Sequence, residues 1–192
     1  MTKLVLGSTS PFRKEILGKL RVPFETGAPD IDESQLDNET PKQLVSRLAE
    51  SKARALAEHF PDALIIGSDQ VACIDGDILG KPGNRENAID QLMRASGKTV
   101  TFYTGLCLLN TKTNNANVLC DPFNVHFRSL NQQQIENYLD AEEPYNCAGS
   151  FKSEGYGITL FSKLEGEDPN TLIGLPLIKL VAMLEKEGLA LP

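Results

Sequence analysis

Ser8-Thr9-Ser10-Pro11-Phe12-Arg13 follows a short apolar run, so hydroxyls, backbone N–H groups and a guanidinium collect where a helix begins. That combination suits a phosphate. A helix start supplies unpaired N–H donors and roughly half a positive charge, and Arg13 can add a bidentate pair. The same residues also read as an ordinary Ser-Pro cap with a solvated arginine. Neither a Walker A loop nor a G-x-G-x-x-G is present.

Gly67-Ser68-Asp69-Gln70 places a carboxylate after the apolar residues Ala63-Leu64-Ile65-Ile66, at the end of a strand, where α/β proteins gather ligand and catalytic groups. A turn residue is the plainer reading. Lys81-Pro82 follows, and Ile31-Asp32-Glu33 precedes with a second carboxylate. Acids and bases of this kind can hold a divalent metal against a phosphate chain and orient an attacking water. Cys147-Ala148-Gly149-Ser150-Phe151-Lys152-Ser153-Glu154-Gly155 reads either as a surface loop or as a loop facing a ligand.

These groups need elements to hold them. Leu4-Val5-Leu6 predicts a buried strand, and Ser10 with Pro11 predicts a helix whose Phe12, Ile16, Leu17 and Leu20 share a face. Thr40-Pro41-Lys42-Gln43 opens a second helix by a capping box, with Leu44, Val45, Leu48, Ala49, Ala53, Leu56 and Ala57 at helical spacing up to Pro61. A hairpin is expected at Asp75-Gly76, a helix over 85–95, and an antiparallel pair carrying Phe102 and Phe123 around the polar turn 110–117. Helices over 131–140 and 176–187 complete the chain, the second stopped by Gly188. Crossovers mixed with hairpins give a mixed-sheet α/β fold with two lobes flanking a cleft.

Composition narrows the partners. The 192 residues are 41% hydrophobic and 23% charged, a globular composition for a single domain over 1–192. A net charge of −7 repels nucleic acid and anionic membranes, so a polyanionic substrate must meet a local cluster of cations. Apolar runs are far shorter than the roughly 20 residues that span a bilayer. Gly7, Ser8 and Arg13 interrupt the first of them before a signal peptide develops, so a cytoplasmic protein is expected. Cys73, Cys107, Cys120 and Cys147 form no C-x-x-C pair and read as free thiols; His59 and His126 read as surface or packing residues. The apolar stripes could support a homodimer, although the core has first claim on them.

Eight short motifs in order resemble the Maf-like nucleoside triphosphate pyrophosphatases from end to end. They are Ser8 to Arg13, Ile31-Asp32-Glu33, Glu50-Ser51-Lys52-Ala53, Gly67-Ser68-Asp69-Gln70, Lys81-Pro82, Tyr103-Thr104-Gly105, Ala148-Gly149-Ser150-Phe151 and Ile173-Gly174-Leu175-Pro176. The resemblance implies an elongated α/β fold like that of inosine triphosphate pyrophosphatases, a central cleft, and metal-dependent release of diphosphate from a nucleotide. It implies Asp69 as the catalytic carboxylate, Ser8, Arg13, Lys52 and Lys81 on the phosphates, and Mg²⁺ or Mn²⁺ held by Asp69 and Glu33.

Phe12, Gln70 and Glu154 stand where the dTTP/UTP branch carries Arg, Thr and Gln, and resemble the 7-methyl-GTP branch instead. N7-methylguanine is a delocalised cation with adjacent N1–H and N2–H donors. A carboxylate accepts both and offsets the charge, which suits Glu154. Phe12 offers an aromatic face for a flat cation, or belongs to the core face of its helix. Gln70 is expected beside base or ribose. The alternatives are a pyrophosphatase for dTTP, UTP or other noncanonical nucleotides, and a nucleotide-binding regulator of cell division.

Overall fold

The structure is a computed structural model that describes residues 3–191. Seven strands form one mixed sheet in the order β2-β1-β3-β5-β6-β7, with β4 paired to β3. The strands are β1 (Lys3–Gly7), β2 (Glu25–Gly27), β3 (Ala63–Ile74), β4 (Asp77–Leu79), β5 (Thr99–Asn110), β6 (Asn115–Phe127) and β7 (Phe161–Glu165). The helices are α1 (Pro11–Gly18), α2 (Pro41–Arg54), α3 (Arg85–Ala95), α4 (Gln132–Glu142), α5 (Pro169–Ile173) and α6 (Leu177–Lys186). β1 runs parallel to both β2 and β3, whereas β4 on β3 and β7 on β6 are antiparallel. Among the described residues no helix is long and apolar enough to cross a membrane.

The chain forms two compact units, the first comprising the residues up to Gln70, Thr104–Asp121 and those from Asp168 onward, the second Val71–Tyr103 with Pro122–Glu167. In the first unit the strands are apolar on both faces, as parallel strands covered by helices must be. Leu4, Leu6, Leu64 and Ile66 pack with Ile16 and Leu17 of α1 and with Leu180 and Leu184 of α6. Val5, Ile65 and Cys107 turn the other way, onto Ala49 and Ala53 of α2. Each fully buried Leu or Ile contributes roughly 1.5–3 kcal/mol.

The approach of α2 depends on two glycines. A Cβ on Gly67 would lie 2.0 Å from the Ala49 carbonyl oxygen, and one on Gly105 2.0 Å from that of Val45. Only glycine lets the helix backbone rest on β3 and β5 at this separation. The second unit centres on aromatic packing, Phe151 meeting Phe102, Phe127 and Phe161 edge-on at 5.0–5.4 Å between centroids.

The capping signals place helix starts well: Thr40 and Gln43 form the expected box on α2, Asn131 and Gln134 the one on α4, and Pro11 begins α1. Three expectations need correction. Residues 67–70 are not the end of a strand, because β3 continues unbroken to Ile74; the small residues reflect close helix packing and not a turn. α2 stops at Arg54 and gives way to turns before Pro61. β2, β7 and α5, each of five residues or fewer, carry too short a pattern to register as periodicity. All four cysteines are free, with Cys73 and Cys107 buried and Cys120 and Cys147 half-buried. Burial pushes the thiol of Cys73 up to about 11 and that of Cys107 to about 12, which leaves both unreactive.

Candidate active site

β1 ends at Gly7, opposite Gly67 of its parallel neighbour β3, so Asp69 lies just past the carboxyl end of β1. Successive side chains of β3 point to opposite faces. Gly67 and Asp69 face α2, and Ser68 and Gln70 face the opposite side. On α2, Lys52 follows Ala49 and precedes Ala53 within the buried stripe, so its ammonium is carried in among apolar neighbours. There it needs a counter-charge. Lys52 Nζ donates to Asp69 Oδ1 at 2.7 Å and pairs with Glu33 Oε1 at 3.1 Å. The Lys52 and Asp69 side chains are 9% and 10% exposed, that of Glu33 58%.

Glu33 lies on the segment between β2 and α2. Asp32 Oδ1 accepts from the Ser34 N–H at 2.9 Å, and Arg47 Nη2 donates to the Ser34 carbonyl at 2.9 Å. Arg47 also forks onto Glu39 through Nε at 2.6 Å and Nη2 at 2.8 Å. That pairing pulls the Glu39 carboxyl down to about 2.

On the other face, Ser10 caps α1 and Ser8 Oγ accepts from the Ser10 N–H at 3.1 Å. Arg13 is half-buried and donates from Nε to the Gly174 carbonyl at 2.8 Å. Burial lowers its pKa, against the raising pull of Asp69 and Glu33, and a guanidinium stays charged regardless. The Nε contact leaves the paired Nη edge as the one suited to a phosphate fork. Gln70 Nε2 donates to Thr171 O at 2.8 Å, Thr104 Oγ1 at 2.9 Å and Leu172 O at 3.2 Å. Phe12 is 43% exposed, so it is not one of the core residues of α1.

The first unit thus brings together Ser8, Arg13, Glu33, Lys52, Asp69 and Gln70. Lys81 and Glu154 belong to the second unit. Both are exposed, and with Lys152 and Glu142 they are the charges acting on Cys147, whose thiol is pushed up chiefly by burial. Glu154 Oε2 accepts from Ser153 Oγ at 3.2 Å. Lys152 instead turns to Glu142, at 3.5 Å from Oε1, while its backbone N–H donates to Tyr138 Oη at 3.1 Å. The small residues before it belong to the interior: Gly149 and Ser150 are buried and have φ of +76° and +64°.

Sequence reasoning gave no role to a second tier of buried polar residues, Ser68 and Thr104 within the quoted motifs and Asp121, Asp168 and Thr171 outside them. Asp168-Pro169 repeats the cap-then-proline signature of Ser10-Pro11 and Thr40-Pro41, and could have revealed α5. Ser68 becomes visible only once β3 is known to run through it.

Among the described residues no three His, Cys, Asp or Glu side chains gather as a metal cage. Two carboxylates, those of Asp69 and Glu33, share the Lys52 ammonium as their counter-charge.

The family model described as "Maf-like protein" matches residues 3–187. A protein of Colwellia psychrerythraea named 7-methyl-GTP pyrophosphatase is 60% identical over 98% of this chain and 94% of its own. A Vibrio cholerae protein of the same name is 58% identical over 97% of this chain and 96% of its own. The solved structure of the Staphylococcus aureus Ham1 protein superposes with a TM-score of 0.52 at 12% identity, over 96% of this chain and 99% of that one, a likeness of fold alone.

Proposed function

The chain belongs to the Maf-like family, and from that premise we propose that it hydrolyses 7-methyl-GTP to 7-methyl-GMP and diphosphate. The observation that carries the chemistry is the buried Lys52–Asp69 pair at 2.7 Å, with Glu33 on the same ammonium and Arg13 close enough to feel both acids. Relatives bearing the 7-methyl-GTP name, at 58–60% identity, support the substrate.

In the reaction a water attacks the α-phosphorus, the new O–Pα bond forms as the Pα–O–Pβ bond breaks, and diphosphate leaves. Asp69 takes the proton. Lys52 holds its Oδ1, which fixes the carboxylate and directs Oδ2 to the water. Arg13 and the Ser8 hydroxyl at the start of α1 bind phosphate oxygens, with the helix N–H groups beside them. Lys52 adds positive charge next to the acid, and Lys81 offers a further cation within the second unit. Glu33 and Asp69 would hold a Mg²⁺ or Mn²⁺, which when bound neutralises phosphate charge.

For the base, a carboxylate that accepts from N1–H and N2–H of a cationic purine is the chemistry Glu154 offers within the second unit, and a stacking face, worth roughly 0.5–2 kcal/mol, is what Phe12 offers within the first. A nucleotide panel with diphosphate detection tests the reading. The expected result is a higher kcat/KM for 7-methyl-GTP than for dTTP or UTP; the reverse order overturns the substrate, and no turnover with added Mg²⁺ or Mn²⁺ overturns the reaction.

A further inference from the structure

α4 ends on Glu142, with no basic residue in its last turn. A carboxylate at that end opposes the helix dipole, so its use must lie outside the helix. One turn earlier, on the same face of α4, stands Tyr138. The two hold the loop that carries Glu154. Tyr138 Oη accepts from the Lys152 N–H at 3.1 Å, and its ring stacks on that of Tyr156 with centroids 6.1 Å apart and planes at 22°. Glu142 Oε2 accepts from the Tyr156 N–H at 2.7 Å. A Cβ on Gly155 would lie 2.9 Å from that oxygen, so the glycine makes room for the carboxylate. Both ends of the span 152–156 are thereby fixed, and Glu154 is its midpoint.

The span also contains a cation that could defeat its acid. Lys152 lies two residues from Glu154, and both act on the Cys147 thiol, whose rise is due chiefly to burial. An ammonium paired with Glu154 would cancel the charge that a cationic base is to meet and occupy its acceptor lone pairs. Lys152 is directed elsewhere. Its Nζ lies 3.5 Å from Glu142 Oε1 and donates to the Glu142 carbonyl at 3.3 Å. That carbonyl is one of the acceptors left over at a helix C-terminus, so the ammonium meets the negative end of α4 as well as a carboxylate.

We propose that Glu142 is a positioning residue for base selection: it draws the Lys152 ammonium away from Glu154 and so keeps the Glu154 carboxylate free for a cationic purine. The proposal rests on the base-reading role given to Glu154 in the proposed function. It gives Lys152 no contact with substrate, and the harm this lysine can do emerges only when Glu142 is lost.

The test compares Glu142→Gln, Lys152→Met and the double variant by the ratio of kcat/KM for 7-methyl-GTP to that for GTP, at constant low ionic strength. Glutamine keeps an oxygen for the Tyr156 N–H but not the charge that holds Lys152. Glu142→Gln is expected to lower the ratio about fivefold while kcat/KM for GTP changes less than about twofold. Adding Lys152→Met restores the ratio to within about twofold of wild type. An unchanged ratio in Glu142→Gln, an equal loss for both nucleotides, or a double variant as low as Glu142→Gln overturns the proposal, since a merely structural defect is not repaired by removing a lysine. Should Glu142→Gln fail to fold, Lys152→Met alone must hold the ratio at or above the wild-type value; a fall would mean that Lys152 itself serves the base, which is equally fatal. Glu154→Gln, run beside them, tests the reading beneath: if it leaves the ratio intact, the base-reading role fails and the proposal falls with it, whatever the other variants do.

Discussion

The first unit buries its polar residues and the second displays them. Ser8, Lys52, Ser68, Asp69, Thr104, Asp121, Asp168 and Thr171 are all buried in the first unit, whereas Ser150 is their one counterpart among the described residues of the second. Buried polar groups persist only when each is paired, and no buried side-chain nitrogen or oxygen lacks a partner among the described residues. On the proposed function the phosphate end is accordingly built in advance, with charges fixed before any nucleotide arrives, which is what electrostatic stabilisation of a reacting phosphate requires. Glu154 is exposed, and among the described residues its carboxylate accepts from the adjacent Ser153. On the proposed function, a residue with so little invested in the fold can be exchanged to change the base without disturbing the chemistry.

The sharpest way to break this contrast is at Asp69. Asp69→Asn is expected to lower turnover by roughly 10²–10⁴-fold while nucleotide binding survives, read by diphosphate release and by calorimetry. An active variant would move the proton transfer elsewhere. Lys52→Met comes next. It strands Asp69 without its partner in a site about one-tenth exposed, and should cost about 3 kcal/mol or more in urea denaturation. Lys152→Met in the second unit, where the ion pair spans 3.5 Å and the lysine is 31% exposed, should cost less than about 1 kcal/mol. Equal penalties would dissolve the distinction between the units. Glu154→Gln should leave stability unchanged and reduce the preference for 7-methyl-GTP over GTP about tenfold, the worth of one charge-assisted hydrogen bond. A uniform loss across nucleotides would place Glu154 in the phosphate machinery instead.

Much of this division could be read in the chain before its structure, because caps and apolar stripes are local. Thr40 to Gln43 and Asn131 to Gln134 announce their helices by chemistry confined to one turn. Asp69, Lys52 and Glu33 were legible as a set only through resemblance, although a lysine on the stripe of Ala49 and Ala53 already demands a buried acid. The set of hydrogen bonds around the Gly174 turn was not legible. Its members are far apart in the chain, 101 residues between Gln70 and Thr171 and 161 between Arg13 and Gly174, and nothing in the local pattern of any of them reports the others. Gly67 shows the opposite failure: glycine signals a turn locally, but here it answers to the backbone of a helix that only the assembled fold brings near.

The smallest effect tests how far the fixed character of the first unit extends toward its rim. Glu39 and Arg47 form a fork that, through the Ser34 carbonyl, also steadies the segment bearing Glu33. The Arg47 hydrogen bonds hold the Glu39 carboxyl at about 2, below its ordinary 4.5. A carboxyl depressed by folding stabilises the native state above its unfolded value and loses that contribution as the pH falls through the folded one. Wild type should therefore melt above Glu39→Gln at neutral pH, with the gap closing between about pH 4.5 and pH 2. Melting curves of both proteins across that range check it. A gap that persists at pH 2 would mean that the fork acts through packing and not through charge, and that the ordering imposed by ion pairs stops at Lys52 instead of reaching the segment that presents Glu33.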